Sequence, residues 1–204
     1  MTLLFIFDMD DVLYDYDWRA RMAAMSELTG LSFLELRRRW WHEDGEFGAE
    51  AGLYATGEEY LVAFEEAIGQ RVDPATWLEI RAAAMTPLHD SLAAARRAAE
   101  LGQATLLTNN GALLGDHLAT VAPELVDIFG DHLRTSSHYR ARKPNPVVFE
   151  RALEAYGVEP ENAFFADDMP ENVAAAESLG ITGHEFRTCA GMHAAIEEFA
   201  AARA

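Results

Sequence analysis

A chain of 204 residues contains a single cysteine, Cys189, and only 16 basic residues against 34 acidic ones. One thiol cannot form an intramolecular disulfide, which predicts a cytoplasmic address rather than a secreted, stapled fold. The shortage of positive charge leaves a formal net charge of −18. Such a surface repels phosphate backbones and anionic membrane faces. It argues against a nucleic-acid polymer or a membrane as partner, though not against a nucleotide-sized substrate. Long apolar runs are missing: none approaches the roughly 18 residues that a membrane helix needs. The run at 3–7 is short, lacks a basic flank and ends at Asp8, unlike a signal peptide. Internal repeats and low-complexity linkers are absent as well. What is present is a globular composition, 50% hydrophobic and 25% charged. It suits one domain, or a core with a small accessory domain.

The apolar runs at 3–7, 104–107, 126–129 and 163–165, with a weaker one at 181–186, predict strands buried on both faces. Helical patterns at 88–101, 146–156 and 170–179 lie between them, and an amphipathic helix closes the chain from Ala190. Asn145, Pro146 and Gly157 supply the cap, first position and stop of the second of these helices. Alternating strand and helix predicts an α/β fold with an open, mostly parallel sheet. Residues 14–85 break the alternation. They show no convincing strand, but amphipathic stretches at 18–28, 33–41, 58–68 and 74–84. This insert predicts a lid over the carboxyl edge of the sheet.

Asp8, Asp10 and Asp11 follow the first run, at the sheet edge where open parallel sheets bind ligands. Asp8 and Asp10 share a face in extended geometry. Packed carboxylates repel, and a hard cation such as Mg²⁺ is their natural compensation. The alternative is a helix N-terminus decorated with acids. Asp167 and Asp168 follow another run and could meet the first cluster. Thr108 and Asn109 follow the 104–107 run before a helix, a hydroxyl and backbone N–H groups suited to seating phosphate. Lys143, in a loop that opens a helix, could offset carboxylate charge and bind phosphate as a point charge. Each piece alone has a commoner reading as capping or surface chemistry; the set in this order does not.

Four segments, Phe7-Asp8-Met9-Asp10-Asp11-Val12-Leu13, Leu107-Thr108-Asn109, Arg142-Lys143-Pro144 and Asp167-Asp168-Met169-Pro170-Glu171-Asn172, resemble the signatures of the haloacid dehalogenase-like hydrolase superfamily. The likeness runs from near residue 3 to about 186. It implies a Rossmann-like parallel-sheet core, residues 1–13 and 86–204, with a small α-helical cap at 14–85. It also implies a phosphoaspartyl mechanism. Asp8 would be the nucleophile, and Asp10 the acid and then the base. Thr108, Asn109 and Lys143 would hold the phosphoryl group. Mg²⁺ would sit on Asp8, the Asp10 backbone carbonyl and Asp168, with Asp167 close by. The family's dehalogenases lack an acid at the position of Asp10, because a leaving halide needs no proton and an alkoxide does. The expected activity is therefore hydrolysis of a small phosphate monoester, a sugar phosphate or nucleoside monophosphate. Alternatives are a sugar phosphomutase, a 2-haloacid dehalogenase, a receiver-like signalling module or a non-catalytic binding protein. The chain could be a monomer or a homodimer.

Two departures stand out. Asp11 occupies a position that is often glycine in the family, and Asn172 one that is often acidic, where an asparagine could hydrogen-bond Lys143. Within the insert, Tyr14, Asp15, Tyr16, Asp17, Trp18 and Arg19 are placed to reach the entrance, with Trp40, Trp41, His42, Phe47 and Tyr54 on the other side. Their aromatic rings could stack on a sugar or a base, or pack the insert's own core. Arg37, Arg38 and Arg39 could attract an anion or pair with Glu35 or Glu43 as a solvated face.

Overall fold

The computed structural model describes residues 2–203. Strand β1 (Leu4–Phe7) and the short β2 (Tyr14–Tyr16) lead into five helices: α1 (Trp18–Thr29), α2 (Phe33–Arg39), α3 (Glu46–Glu50), α4 (Gly57–Ile68) and α5 (Pro74–Ala83). Strand β3 (Met85–Pro87) leads out to α6 (His89–Leu101), β4 (Gln103–Leu106), α7 (Ala112–Val121) and α8 (Val126–Phe129). The chain continues through α9 (Pro146–Tyr156), β5 (Ala163–Asp167), α10 (Pro170–Glu177), β6 (Thr182–Glu185) and α11 (Cys189–Ala201).

The four longer strands form one parallel sheet in the order β4-β1-β5-β6. Every residue of β1 is buried, because helices cover both faces. Side chains alternate across it. Phe5 and Phe7 join the cluster made with α6, α7, α8 and α11. Leu4 and Ile6 join the one made with α9 and α10. The first cluster continues without a break into the insert, where Trp40, Tyr60, Phe64 and Trp77 pack. Helices α4 and α5 rest on α7. Among the described residues no helix is long and apolar enough to cross a membrane.

Helix α9 begins and ends where its sequence predicts. The Asn145 side chain accepts from the Val147 N–H at 3.1 Å, and Gly157 adopts the left-handed φ of 63° that stops it. Two expectations are corrected. The run at 126–129 forms a helical turn, not a strand. Asp127 interrupts it, and a 3₁₀ turn at Pro123–Leu125 feeds it, so that Leu125, Ile128 and Phe129 bury on one side. The insert is not free of strand either, since β2 and β3 pair antiparallel with Tyr14 opposite Pro87 and Tyr16 opposite Met85. This two-strand ribbon is the stem through which the chain enters and leaves the helices.

Register gathers the acidic loops. Phe7 pairs with Leu106 on one side and Ala166 on the other. The Asp8 N–H then donates to the Ala166 carbonyl at 3.0 Å, and the Leu107 N–H to the Phe7 carbonyl at 2.8 Å. The residues after three neighbouring strands therefore emerge together at one edge.

Candidate active site

Asp8 is buried at that edge. Its Oδ1 lies 2.8 Å from Lys143 Nζ and accepts from the Met9 N–H at 2.8 Å. Among the described residues nothing donates to its Oδ2. Lys143, itself 1% exposed, also donates to Asp167 Oδ2 at 2.6 Å. It is the chain's single lysine. Asn109 sets its place: the Lys143 N–H donates to Asn109 Oδ1, and Asn109 Nδ2 donates to the Lys143 carbonyl, each at 2.9 Å. Asp167 Oδ1 takes the Asn172 amide and the Met169 N–H, both at 2.9 Å. Asn172 thus holds Asp167, not Lys143 as the sequence suggested.

Thr108 is buried behind β4, and its hydroxyl accepts from Asn110 Nδ2 at 2.8 Å, leaving its own proton to donate. Carboxylate oxygens of Asp8, Asp167 and Asp168 lie within 4.8 Å of one another. Burial, more than any neighbour, pushes the Asp8 carboxyl well above its ordinary range, with Asp167 adding to it against the pull of Lys143. Asp168 is pushed up to about 6 by burial, then by Asp167 and Asp11. The cluster is short of positive charge. All its donors are hard oxygens, which is what Mg²⁺ requires.

Asp11 has a left-handed backbone with φ of 60°. That explains the family's preference for glycine here; aspartate tolerates the conformation better than most residues. Its Oδ1 accepts from the Tyr16 N–H at 3.1 Å and so starts the stem.

Asp10 is held differently from Asp8. Its carboxylate faces a cavity of 340 Å³, whose wall includes Trp18, Arg21, Trp41, Glu50 and Asn109. Both its oxygens contact Nη2 of Arg81, at 2.6 and 2.7 Å. Arg81, from α5, is a site residue not anticipated from the sequence. The available signal was an arginine on the apolar face of that helix, four residues after the buried Trp77.

The aromatic candidates separate. Trp18 and Trp41 line the cavity, their rings edge to face at 5.3 Å. Trp40 packs inside the insert against Tyr60 and Phe64. Tyr14 is corrected: strand alternation turns it into the core, where its hydroxyl donates to Glu124 at 2.7 Å. Tyr16, two residues on, lines the cavity. Arg19 is corrected too. One helical step from Trp18, it lies on the outer face of α1 beside Met22, Ala23, Ser26 and Phe33. Of the three consecutive arginines, Arg38 and Arg39 pair with Glu35, whereas Arg37 reaches the cavity wall.

Glu50 gives this wall a pH dependence. Its Oε2 lies 2.6 Å from Arg142 Nε, which favours the carboxylate, but burial dominates and, with Glu46 nearby, pushes the group up to about 8. The folded chain therefore binds a proton that the unfolded chain releases near its ordinary value of about 4.5. That contribution to stability is complete below the unfolded value and is lost as pH rises through about 8. The melting temperature should fall from pH 5 to 9, and Glu50→Gln should flatten the fall. An unchanged slope in thermal melts would show that Glu50 does not carry it.

Comparison with known proteins bears on this arrangement. Residues 2–180 match the family described as haloacid dehalogenase-like hydrolase. Phosphatase MT3486 of Mycobacterium tuberculosis is 28% identical over 185 residues, covering 88% of this chain and 84% of that protein. Among solved structures, the HAD family enzyme bt-2542 of Bacteroides thetaiotaomicron, in complex with magnesium and inorganic phosphate, superposes with a TM-score of 0.71 at 20% identity. The match covers 92% of this chain and 95% of that one. A 2-haloacid dehalogenase from Pseudomonas syringae pv. Tomato DC3000 shares the fold with a TM-score of 0.59 at 19% identity, over 89% and 84% of the two chains.

Proposed function

The chain belongs to the haloacid dehalogenase-like hydrolases, and on that premise we propose that it is a Mg²⁺-dependent phosphomonoesterase acting on a small phosphorylated metabolite. The observation that carries this reading is the pair of carboxylates two residues apart with different surroundings. Asp8 is buried on Lys143, and Asp10 is turned to the cavity. A nucleophile and a separate acid–base group are what phosphate-ester hydrolysis needs, while halide loss needs only the first. The phosphatase relative supports the same choice.

In this reading Asp8 Oδ2, free of donors, attacks phosphorus. The bond from phosphorus to the ester oxygen breaks, and Asp10 delivers a proton to the departing oxygen. Asp10 then takes a proton from water, whose oxygen attacks the phosphorus of the aspartyl phosphate. Asp8 regains its carboxylate and inorganic phosphate leaves. Thr108 and Lys143 donate to the phosphoryl oxygens, and Asn109 holds Lys143 in place for this. Asp8 and Asp168, with Asp167 and the Asp10 carbonyl close by, would hold Mg²⁺. Three clustered carboxylates set against one ammonium leave two negative charges for it to offset. When bound, the ion neutralises charge on the phosphoryl group. Residues 14–85 act as the cap, and Trp18 and Trp41 contact the leaving group.

A phosphate-release screen over sugar phosphates, nucleoside monophosphates and short-chain acid phosphates, with and without Mg²⁺, tests the reading. 2-Haloacids belong on the same plate. Mg²⁺-dependent phosphate release is expected. Halide release exceeding phosphate release, or no phosphate from any ester, would overturn it.

A further inference from the structure

Arg81 is fully buried, yet among the described residues its only charged partner is Asp10. Nη2 makes both contacts with Asp10, while Nε and Nη1 are buried without hydrogen-bond partners. The guanidinium carbon lies 4.0 Å from the centre of the Tyr16 ring. Unpaired buried donors cost a fold stability. Packing alone would be better served by an apolar side chain at this position. A group retained at that cost, whose one polar contact is to Asp10, points to a role through Asp10.

Position supports this. Arg81 is in the last turn of α5, just before β3 returns the chain to the core, and Tyr16 is on β2. The end of α5, strand β2 of the stem and the Asp10 loop therefore meet at the guanidinium. Asp10 is 23% exposed on its cavity side and anchored on the other. A carboxyl group with free rotation would sample several directions. One gripped at both oxygens by a buried nitrogen keeps a single approach to the cavity.

We propose that Arg81 is the positioning residue for Asp10, aiming its carboxyl group at the leaving-group oxygen from a fixed point at the end of α5. This rests on the phosphomonoesterase reading above. Because Arg81 acts only through Asp10, its loss should matter where proton delivery matters and nowhere else. Phenyl phosphate and 4-nitrophenyl phosphate have nearly the same shape, but the second leaving group departs without help from an acid.

In Arg81→Met, kcat/KM for phenyl phosphate should fall by about 30-fold, while that for 4-nitrophenyl phosphate changes by less than about threefold. Asp10→Asn should show the same split, and adding Arg81→Met to Asp10→Asn should cost nothing more. Arg81→Lys can still present one nitrogen and should recover part of the loss. If Arg81→Met does not fold, as judged by circular dichroism and melting, Arg81→Lys carries the test with the same split at smaller amplitude. Equal loss on both esters, or a further loss in the Asp10→Asn background, would reduce Arg81 to a structural residue. A split in Asp10→Asn without one in the Arg81 variants would overturn the proposal and leave the phosphatase reading standing. Absence of phosphate release from both esters by the wild-type chain would remove that reading, and this proposal with it.

Discussion

Asp8→Asn should abolish turnover without unfolding the protein. kcat is expected to fall by about four orders of magnitude or more, as when a covalent nucleophile is removed. An amide oxygen can still accept from the Met9 N–H, the contact Asp8 makes at 2.8 Å. It cannot displace an alcohol from phosphorus. The same change deletes a negative charge from a buried cluster in which burial already disfavours ionisation of Asp8. Asp167 remains as the partner of Lys143. The melting temperature in the absence of divalent ions should therefore hold or rise while activity disappears. Most losses of function by mutation come from lost stability; here the two should part. A variant retaining more than about one per cent of wild-type kcat would displace Asp8 from the role of nucleophile.

Lys143→Met should fail in the opposite way, losing activity and stability together. The ammonium sits 2.8 Å from Asp8 and 2.6 Å from Asp167, with almost no access to water. Methionine keeps the apolar stem of the side chain but leaves two buried carboxylates facing each other without a counter-charge. Breaking a buried pair by removing one partner costs about 3–5 kcal/mol. For a chain of this size that is a fall in melting temperature of roughly 6–20 °C. The deficit should shrink when Mg²⁺ is added, because the carboxylates lack charge rather than volume. A loss that Mg²⁺ leaves unchanged would mean that Lys143 acts by packing, and a variant that melts with wild type would mean that the ammonium compensates nothing.

These residues could be found in the sequence because each follows a buried strand or opens a helix with recognisable punctuation. Phe7 to Asp8 is the sharpest transition from apolar to acidic in the chain. Asn145, Pro146 and Gly157 delimit α9 by local chemistry alone. What escaped depends on partners distant in the chain. Strands β2 and β3 are three residues each and pair only with one another, so neither has the length to announce a strand. With β2 unseen, the alternation that buries Tyr14 and turns Asp15 outward was unseen too. The 126–129 run is apolar enough for a strand, but the fold finds it no neighbour in the sheet. Arg81 is the clearest case. Its carboxylate partner is 71 residues away, and its spacing from Trp77 signals burial but not the partner.

With no other lysine in the sequence, the chain carries one ε-amine, and the fold seals it between two carboxylates. Leaving the terminal amine aside, a reagent selective for primary amines has one target here, hidden for as long as the site is assembled. The protein thus carries its own single-site reporter: the rate at which such a reagent gains entry measures how often the site opens, with no label engineered into the molecule.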